Sequence, residues 1–284
     1  GAMSDAEAEA IVRAALDAGV NLFDVAESYG EPNGLSELRL GRALRGIRDR
    51  IFLVSKVGNW GKRSGQEVPK TTADMIRLCG HACCGRLRTD HLDVLLCHEG
   101  NIADPSIYIE GFRILRDEGF IRAYGISTNS LDVLRRFHEL SGGECAVVQT
   151  DYSALNRAAE AELLPYCQAE RIAVMVRGPM AKGLLSGRYD AHTVFTDQVR
   201  KRWNPGADGR AEYERQVARV QPWQARWGAE LPSVALHYVL NHPCAPVVIP
   251  GATRPEQIVG NAATARTPPP PGSPDQWLPE PDRA

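Results

Sequence analysis

The sequence predicts a parallel α/β fold. Short, nearly continuous apolar runs alternate along the chain with amphipathic helical stretches. Such runs are typical of strands that are buried on both faces of a parallel sheet, because helices cover its surfaces. The chain has 284 residues, 43% of them hydrophobic, which is enough to bury one large core. This pattern fits a doubly wound sheet or a (β/α)8 barrel.

The elements alternate from the first residues onward. Ser4 and Glu7 form a capping-box pattern, and apolar residues then recur at helical spacing until Gly19 ends the helix. Ser36 caps a second helix, whose apolar face extends to Ile47. Strands are predicted at residues 20–25, 51–56, 92–98, 121–127, 145–149, 172–176 and 246–250. These are seven strands, one fewer than a closed eight-stranded barrel has.

The two ends differ from the rest of the chain. Residues 1–3 are typical of the remnant of a cleaved tag, and residues 4–266 are predicted to form one barrel domain. Residues 267–284 are rich in proline, so we expect an extended and poorly ordered tail. The long connection over residues 185–210 is expected to cover the active site, as long loops of barrels often do.

Charge and cysteine content limit the possible partners and compartments. The formal net charge is −2, so no strong field would attract nucleic acid or an anionic membrane, and a small soluble substrate is expected. The seven cysteines show no disulfide framework, and no secretory signal or long apolar run is recognisable, which predicts a cytoplasmic protein. Cys79, His81, Cys83 and Cys84 lie close together, but on one helix they cannot surround a metal ion, so no metal site is predicted.

Polar residues stand at the ends of the first three predicted strands. Asp24, Lys56 and His98 lie at or next to the last positions of these strands. In a parallel barrel the strand ends meet on one face, so these side chains are expected to share a mouth. Tyr29 follows Asp24 by five residues on a short loop and can turn back over the same mouth. The four residues are therefore the candidate catalytic group.

Their chemistry suits the reduction of a carbonyl. An ammonium such as that of Lys56 stabilises a neighbouring phenolate and so eases proton transfer at neutral pH. Asp24 would keep Lys56 charged, which argues against a Schiff-base lyase, because that nucleophile must be a neutral amine. A neutral His98 could donate a hydrogen bond to the carbonyl oxygen. No side chain can supply a hydride, so a cofactor is required.

The surrounding residues resemble a known family. Residues 21–30, with the sequence NLFDVAESYG, resemble the aldo-keto reductase signature, and they are followed at the family's spacing by Ser55-Lys56 and by LDVLLCH at residues 92–98. The resemblance implies a (β/α)8 TIM-type barrel whose first strand is missing from this sequence, and we expect the native chain to supply that strand upstream. It also implies that Tyr29 is the general acid, tuned by Lys56 and Asp24, and that His98 orients the carbonyl.

A segment near the end of the chain is the candidate site for the cofactor's phosphate. No Gly-x-Gly-x-x-Gly follows a strand, so the usual dinucleotide fold is not predicted. Residues 249–257 instead join a strand end, a glycine turn and a helix start, which directs backbone N–H groups at an anion. The resemblance implies that this segment binds the 2′-phosphate of NADP(H), and the fixed charge of an arginine favours NADPH over NADH. The residues concerned are Gly251, Thr253, Arg254, Gln257 and Asn261.

Further matches concern the nicotinamide end of the cofactor. Ser127 and Gln149, each at the end of a strand, resemble the pair that holds the carboxamide. Many members have asparagine directly after the serine, whereas here Thr128 comes first and Asn129 second. Either of these two residues could reach the carboxamide.

Residues 183–187, with Gly183 and Leu185, resemble the loop over the pyrophosphate. Arg177 stands where many members have an aromatic residue that stacks on the nicotinamide. An arginine can lie flat on a ring, or it can bind the phosphate or the carboxamide, and these possibilities stay open.

Two functions are consistent with the sequence. The first is an NADPH-dependent reductase of aldehydes or ketones, and the alternative is an NADPH-binding regulatory subunit with little or no turnover. Trp60, Tyr108 and Trp203 are candidate walls of the substrate pocket, which would suit an apolar or aromatic carbonyl compound. The sequence does not predict an oligomeric state.

Overall fold

A sheet of seven parallel strands forms the centre of the computed structural model, which describes residues 3–197 and 199–279. Neighbours in the sheet follow one another along the chain, and every pair is parallel. The seven predicted parallel strands are thereby confirmed. The strands are β1 (Leu22–Asp24), β2 (Phe52–Val57), β3 (Leu92–Cys97), β4 (Ile121–Ser127), β5 (Val147–Asp151), β6 (Ala173–Arg177) and β7 (Val247–Val248).

Helices connect successive strands, as parallel pairing requires. The capping box predicted at the first helix is present, because Ser4 Oγ accepts a hydrogen bond from Glu7 N and the Glu7 carboxylate accepts one from Ser4 N. The helices are α1 (Asp5–Asp17), α2 (Leu35–Ala43), α3 (Ala73–Leu87), α4 (Ser106–Asp117), α5 (Leu131–Leu140), α6 (Leu163–Glu170), α7 (Arg210–Trp227), α8 (Leu231–Leu240), α9 (Pro255–Thr264) and α10 (Pro274–Trp277).

The sheet curls until its first and last strands face the same cavity. That cavity measures about 660 Å³ and is lined by β1 and β7, together with residues of α1, α8 and α9. Among the residues that the structure describes, no strand pairs with the outer edge of β1 or of β7. The sheet therefore stops about one strand short of closing a barrel, as the count of strands in the sequence predicts.

The last described residues differ from the extended tail that the prolines predict. α10 packs against α8, and both Trp277 and Leu278 are buried. Trp277 Nε1 donates to Pro271 O at 3.0 Å, and Trp227 Nε1 of α7 donates to Trp277 O at 2.8 Å. Burial of these two apolar side chains stabilises a folded conformation here, although the prolines favour an extended one. Residues 280–284 of the predicted tail, and residues 1 and 2 of the predicted tag remnant, lie outside the described residues.

The long connection before α7 packs onto the barrel through aromatic side chains. Trp203 stacks on Tyr213 of α7 at a centroid distance of 5.3 Å, and Phe195 meets both rings edge to face. Tyr213 Oη donates to Asp190 O at 2.6 Å. Trp203 is almost completely buried in this cluster, so it holds the connection in place. It is therefore not the wall of the substrate pocket that the sequence suggests.

The helices over residues 3–197 and 199–279 lack the combination of length and apolar character that crossing a bilayer would require.

Candidate active site

A buried ion pair lies at the carboxyl end of β1 and β2. Lys56 Nζ donates to Asp24 Oδ2 at 2.6 Å and to Val25 O at 2.9 Å. The Lys56 side chain is 0% exposed and the Asp24 side chain 12%. Parallel pairing sets this geometry, because Asp24 is in register with Val54 and Lys56 lies two residues beyond it. A charged lysine in such a position requires a carboxylate partner.

Tyr29 and His98 complete the group at the same face. The ring of Tyr29 has its centroid 4.9 Å from Lys56 Nζ, and it meets the His98 ring edge to face at 5.6 Å. His98 follows β3 directly, and its backbone N–H donates to Val57 O at 2.8 Å. The structure thus brings together all four residues that the sequence singles out at this mouth.

The loop that carries Tyr29 is held by the buried carboxylate of Glu27, a residue that was not predicted to belong to the site. Glu27 Oε1 accepts from Gly58 N at 2.8 Å and lies 3.3 Å from Lys70 Nζ, with both side chains at most 5% exposed. Burial raises the pKa of Glu27, although Gly58 N–H and Lys70 act in the opposite direction. The available signal is a charged residue inside the otherwise small and apolar segment between Asp24 and Tyr29.

Gln149 crosses the barrel mouth to the ion pair. It is buried, and its Nε2 donates to Asp24 Oδ1 at 2.8 Å, although the two residues are 125 positions apart in the chain. Ser127, at the end of β4, is also buried. Thr128 turns away from this group, since its Oγ1 donates to Gly100 O at 2.6 Å. Asn129, in contrast, is exposed. Of the two residues that could reach the carboxamide, Asn129 is therefore the accessible one.

Arg177 and Asn129 are partners. Arg177 Nη2 donates to Asn129 Oδ1 at 2.9 Å, and the same oxygen accepts from Asp151 N at 3.0 Å. Both side chains stand at the carboxyl ends of strands, Arg177 at β6 and Asn129 two residues after β4. The guanidinium is thereby held at the carboxyl end of the strands, the same end of the barrel as Lys56 and Asp24.

The predicted phosphate segment lies at the start of α9. Arg254 is the exposed N-cap residue of this helix, and Gln257 turns back so that its Oε1 accepts from Thr253 N at 2.8 Å. Gly251 and Asn261 line the same cavity as Asp24 and Tyr29. A Cβ atom at Gly251 would meet no atom of a non-adjacent residue within 4 Å, so the space beside this backbone is open.

The predicted pyrophosphate loop forms a tight turn after β6. Gly183 adopts φ of 95°, in the left-handed region that glycine tolerates, and its N–H donates to Met180 O at 2.8 Å. Leu185 is fully buried, so its side chain belongs to the core and only its backbone could face a cofactor.

The other predicted pocket walls differ from one another. Tyr108 is 0% exposed and its hydroxyl donates to Glu99, so it is a core residue of α4 and not a wall. Trp60 is partly exposed and lies under the guanidinium of Arg86 at 5.5 Å. Only Trp60 of the three therefore keeps a surface that a substrate could touch.

The cysteine-rich segment of α3 is a packing face. Cys83 and Cys84 are buried, whereas His81 lies at the surface and pairs with Glu118 at 2.9 Å. Burial raises the pKa of the Cys84 thiol to about 11. In the described part of the chain, no three histidine, cysteine or acidic side chains are grouped so that they could hold a metal ion.

Comparisons with known proteins agree with this geometry. The sequence model of the Aldo/keto reductase family matches residues 1–270. The chain is 30% identical over 266 residues to an NADH-specific methylglyoxal reductase of Escherichia coli (strain K12), covering 86% of this chain and 78% of that protein. It is 34% identical over 207 residues to the methylglyoxal reductase YeaE of the same organism, covering 68% of this chain and 69% of that protein.

Solved structures give the same result. An aldo-keto reductase from Bacillus halodurans in its holo form superposes with a TM-score of 0.81 at 28% identity, covering 98% of this chain and 87% of that one. An aldo/keto reductase from Klebsiella pneumoniae in complex with NADP and acetate superposes with a TM-score of 0.70 at 30% identity, with the same coverage. These superpositions confirm the barrel-type fold that the sequence predicts, with one strand fewer in this chain.

Proposed function

The chain belongs to the aldo/keto reductase family, and from this premise we propose that it reduces an aldehyde or ketone to an alcohol with NADPH, using Tyr29 as the general acid. The observation that supports this most directly is the buried pair of Lys56 and Asp24, 2.6 Å apart, beside the Tyr29 ring. A fully buried ammonium, paired with a carboxylate and next to a phenol, is an arrangement that suits proton transfer.

The proton is delivered from Tyr29. Lys56 has three N–H donors, of which Asp24 and Val25 O receive two. We assign the third to the hydroxyl of Tyr29, where the positive charge stabilises the phenolate left after proton transfer. Asp24 keeps that ammonium charged inside the protein and fixes its direction. Lys56 and Asp24 thus act on the substrate only through Tyr29.

His98 orients the substrate. Its ring meets Tyr29 edge to face, so a carbonyl oxygen within reach of the Tyr29 hydroxyl is also near the imidazole. A hydrogen bond from His98 to that oxygen stabilises the negative charge that develops there during reduction. Two donors on one oxygen also fix the position and direction of the C=O bond.

The residues around the cavity fit a phosphorylated nicotinamide cofactor, which would supply the hydride. Asp24 and Tyr29 border the opening between β1 and β7, and Gly251 and Asn261 border the same opening, so the proposed catalytic and phosphate-binding groups lie around one part of the barrel. At the nicotinamide end we assign Ser127, Asn129 and Gln149 to the carboxamide. The loop with Gly183 and Leu185 is assigned to the pyrophosphate.

Arg254 supports the preference for NADPH. It is an exposed guanidinium at the N-terminus of α9, and the N–H groups of that helix add a partial positive charge. The related reductase of Escherichia coli is NADH-specific, whereas the related Klebsiella structure contains NADP. Relatives thus differ in their cofactor, and for this chain we assign Arg254, Thr253, Gln257 and Asn261 to the 2′-phosphate of NADPH.

Methylglyoxal is the first substrate to test, because two relatives are methylglyoxal reductases. The partly exposed indole of Trp60 also suits an aromatic substrate such as phenanthrenequinone.

The test is to measure NADPH and NADH binding by fluorescence, and their oxidation with a panel of aldehydes and ketones. The proposal predicts that NADPH binds more tightly than NADH and is oxidised by at least one carbonyl compound. Binding of NADPH without turnover on any substrate would favour a regulatory binding subunit. Absence of binding of either cofactor would contradict the proposal.

A further inference from the structure

Ser28, which precedes the proposed general acid, contacts the proposed substrate-orienting residue. Its Oγ lies 3.4 Å from His98 Nδ1, and the residue is only 3% exposed. This contact joins the loop after β1 to the residue that follows β3. This buried hydroxyl faces one of the two ring nitrogens of His98, so it bears on which nitrogen carries the proton.

The backbone holds Ser28 in place. Asn33, with its amide oriented so that both of its groups are satisfied, donates from its nitrogen to Ser28 O at 3.1 Å and accepts from Gly61 N at 3.2 Å. The next residue, Tyr29, donates its N–H to Ala26 O at 3.0 Å and so closes a turn. These contacts restrain the backbone of Ser28, and because the residue is only 3% exposed, its Oγ has little room to move away from His98.

The other partner is held equally well. His98 N donates to Val57 O at 2.8 Å, and His98 O accepts from Asn59 Nδ2 at 2.5 Å. Tyr29 limits the tilt of the ring through their edge-to-face contact, with an interplanar angle of 76°. Since the backbone and the ring plane of His98 are both restrained, Nδ1 stays at Ser28 and Nε2 lies on the other side of the ring.

We propose that Ser28 is a positioning residue that fixes the tautomer of His98. A neutral imidazole has one nitrogen that donates and one that accepts. If the Ser28 hydroxyl donates to Nδ1, the ring proton must be on Nε2, and Nε2–H becomes the donor for the substrate oxygen. In the opposite tautomer Nε2 would present a lone pair to that oxygen and repel it. The catalytic part of this inference rests on the proposed reductase function.

The substitution Ser28→Ala removes the hydroxyl without adding atoms. We expect both tautomers of His98 to be populated, and kcat to fall by roughly 3- to 10-fold, the size of effect that the loss of one neutral hydrogen bond has. The Kd for NADPH should stay within about twofold. Ser28→Cys keeps a weak donor and should give an intermediate result. Ser141→Ala, which removes a different fully buried hydroxyl at the end of α5, is the matched control.

The decisive measurement is ¹⁵N NMR of protein labelled at histidine, with the His98 signals assigned by their loss in His98→Gln. The inference predicts that near pH 8 the parent protein shows a protonated Nε2 and an unprotonated Nδ1. It further predicts a shift toward mixed tautomers in Ser28→Ala, with no change in Ser141→Ala.

A protonated Nδ1 in the parent, or an unchanged His98 spectrum in Ser28→Ala, would overturn the inference. This readout does not depend on turnover. If the tautomer is as predicted but no carbonyl compound is reduced, the function proposal fails while the role of Ser28 in fixing the tautomer stands.

Discussion

Gln149 donates a hydrogen bond from Nε2 to Oδ1 of Asp24 at 2.8 Å, across the mouth of the barrel. The other oxygen of the same carboxylate accepts from Lys56 at 2.6 Å. Asp24 of β1 is therefore held by residues of two other strands: Lys56 of β2, which is next to β1 in the sheet, and Gln149 of β5, which is four places from β1. This double attachment keeps the carboxylate aimed at Lys56, and it links the proposed carboxamide site to the proposed catalytic group.

The buried ion pair can be tested by a double-mutant cycle. Asp24→Asn leaves the Lys56 ammonium buried without a charged partner, and we expect the free energy of unfolding to fall by about 3–5 kcal/mol. Asp24→Asn combined with Lys56→Met should recover part of this loss, while activity stays low in both variants. Urea denaturation measures the stabilities. Glu9→Gln, at an exposed pair with Arg13, is the control and should change little. Additive losses in the double variant would contradict the account.

Arg254 is expected to decide between the two cofactors. Arg254→Ala should raise the Kd for NADPH roughly 10- to 100-fold, because a charge-assisted hydrogen bond to phosphate is lost. The Kd for NADH should change by less than about threefold, since that cofactor has no 2′-phosphate. Arg135→Ala, at an exposed arginine of α5, controls for the loss of one positive charge. An equal increase in the Kd for NADPH and for NADH would show that Arg254 does not contact the 2′-phosphate.

Glu144 should make stability depend on pH in the acid range. Hydrogen bonds from Arg113, Tyr124 and Arg116 lower the pKa of Glu144 to about 2. A carboxyl whose pKa is lower in the folded state stabilises the fold above its unfolded-state pKa, and this contribution is lost as the pH falls. Glu144→Gln should therefore be less stable than the parent near pH 7, and the difference should shrink between about pH 4.5 and pH 2.

Urea denaturation from pH 7 to pH 3 measures this difference. Glu139→Gln, at an exposed carboxylate five residues earlier, is the control and should follow the parent at every pH. If the stability difference caused by Glu144→Gln does not vary with pH, the three hydrogen bonds do not act through the charge of Glu144.

Trp277 should contribute strongly to stability, although it lies in a proline-rich segment. Its side chain is 2% exposed, and its Nε1 donates to Pro271 O. Trp277→Ala should lower the free energy of unfolding by about 3–5 kcal/mol, as large-to-small substitutions in a core do. Val259→Ala, at an exposed position of α9, should change it little. A loss below about 1 kcal/mol for Trp277→Ala would mean that α10 is not docked in solution.

Local patterns predicted the strands well, and long-range contacts could not be predicted from them. Residues 121–127 are β4 as predicted, because this mostly apolar segment has the length of a strand and is too short for a typical buried helix. The contact of Gln149 with Asp24 has no local signal, since it joins positions 125 residues apart. Tyr108 shows the same limit: its place after His98 suggested a pocket wall, but the helix phase turns it into the core. The burial of Trp277 likewise depends on a groove formed by distant residues.

Within residues 21–30, which resemble the family signature, the roles of individual residues were also only partly predictable. Asp24 was suggested by its charge at a strand end, and Tyr29 by its spacing from Asp24 together with the family resemblance. Glu27 and Ser28 lie between them, and their importance depends on Gly58, Lys70 and His98, which only the fold brings within reach.

The most direct test of the central claim is the substitution Tyr29→Phe, measured as kcat for NADPH oxidation with the best carbonyl substrate and as NADPH binding by fluorescence. We expect kcat to fall by at least about 100-fold, because the general acid is lost. The Kd for NADPH should stay within about threefold of the parent, and Tyr166→Phe, at a partly exposed tyrosine of α6, should behave like the parent. A Tyr29→Phe variant that turns over at the parent's rate would contradict the assignment of Tyr29 as the general acid.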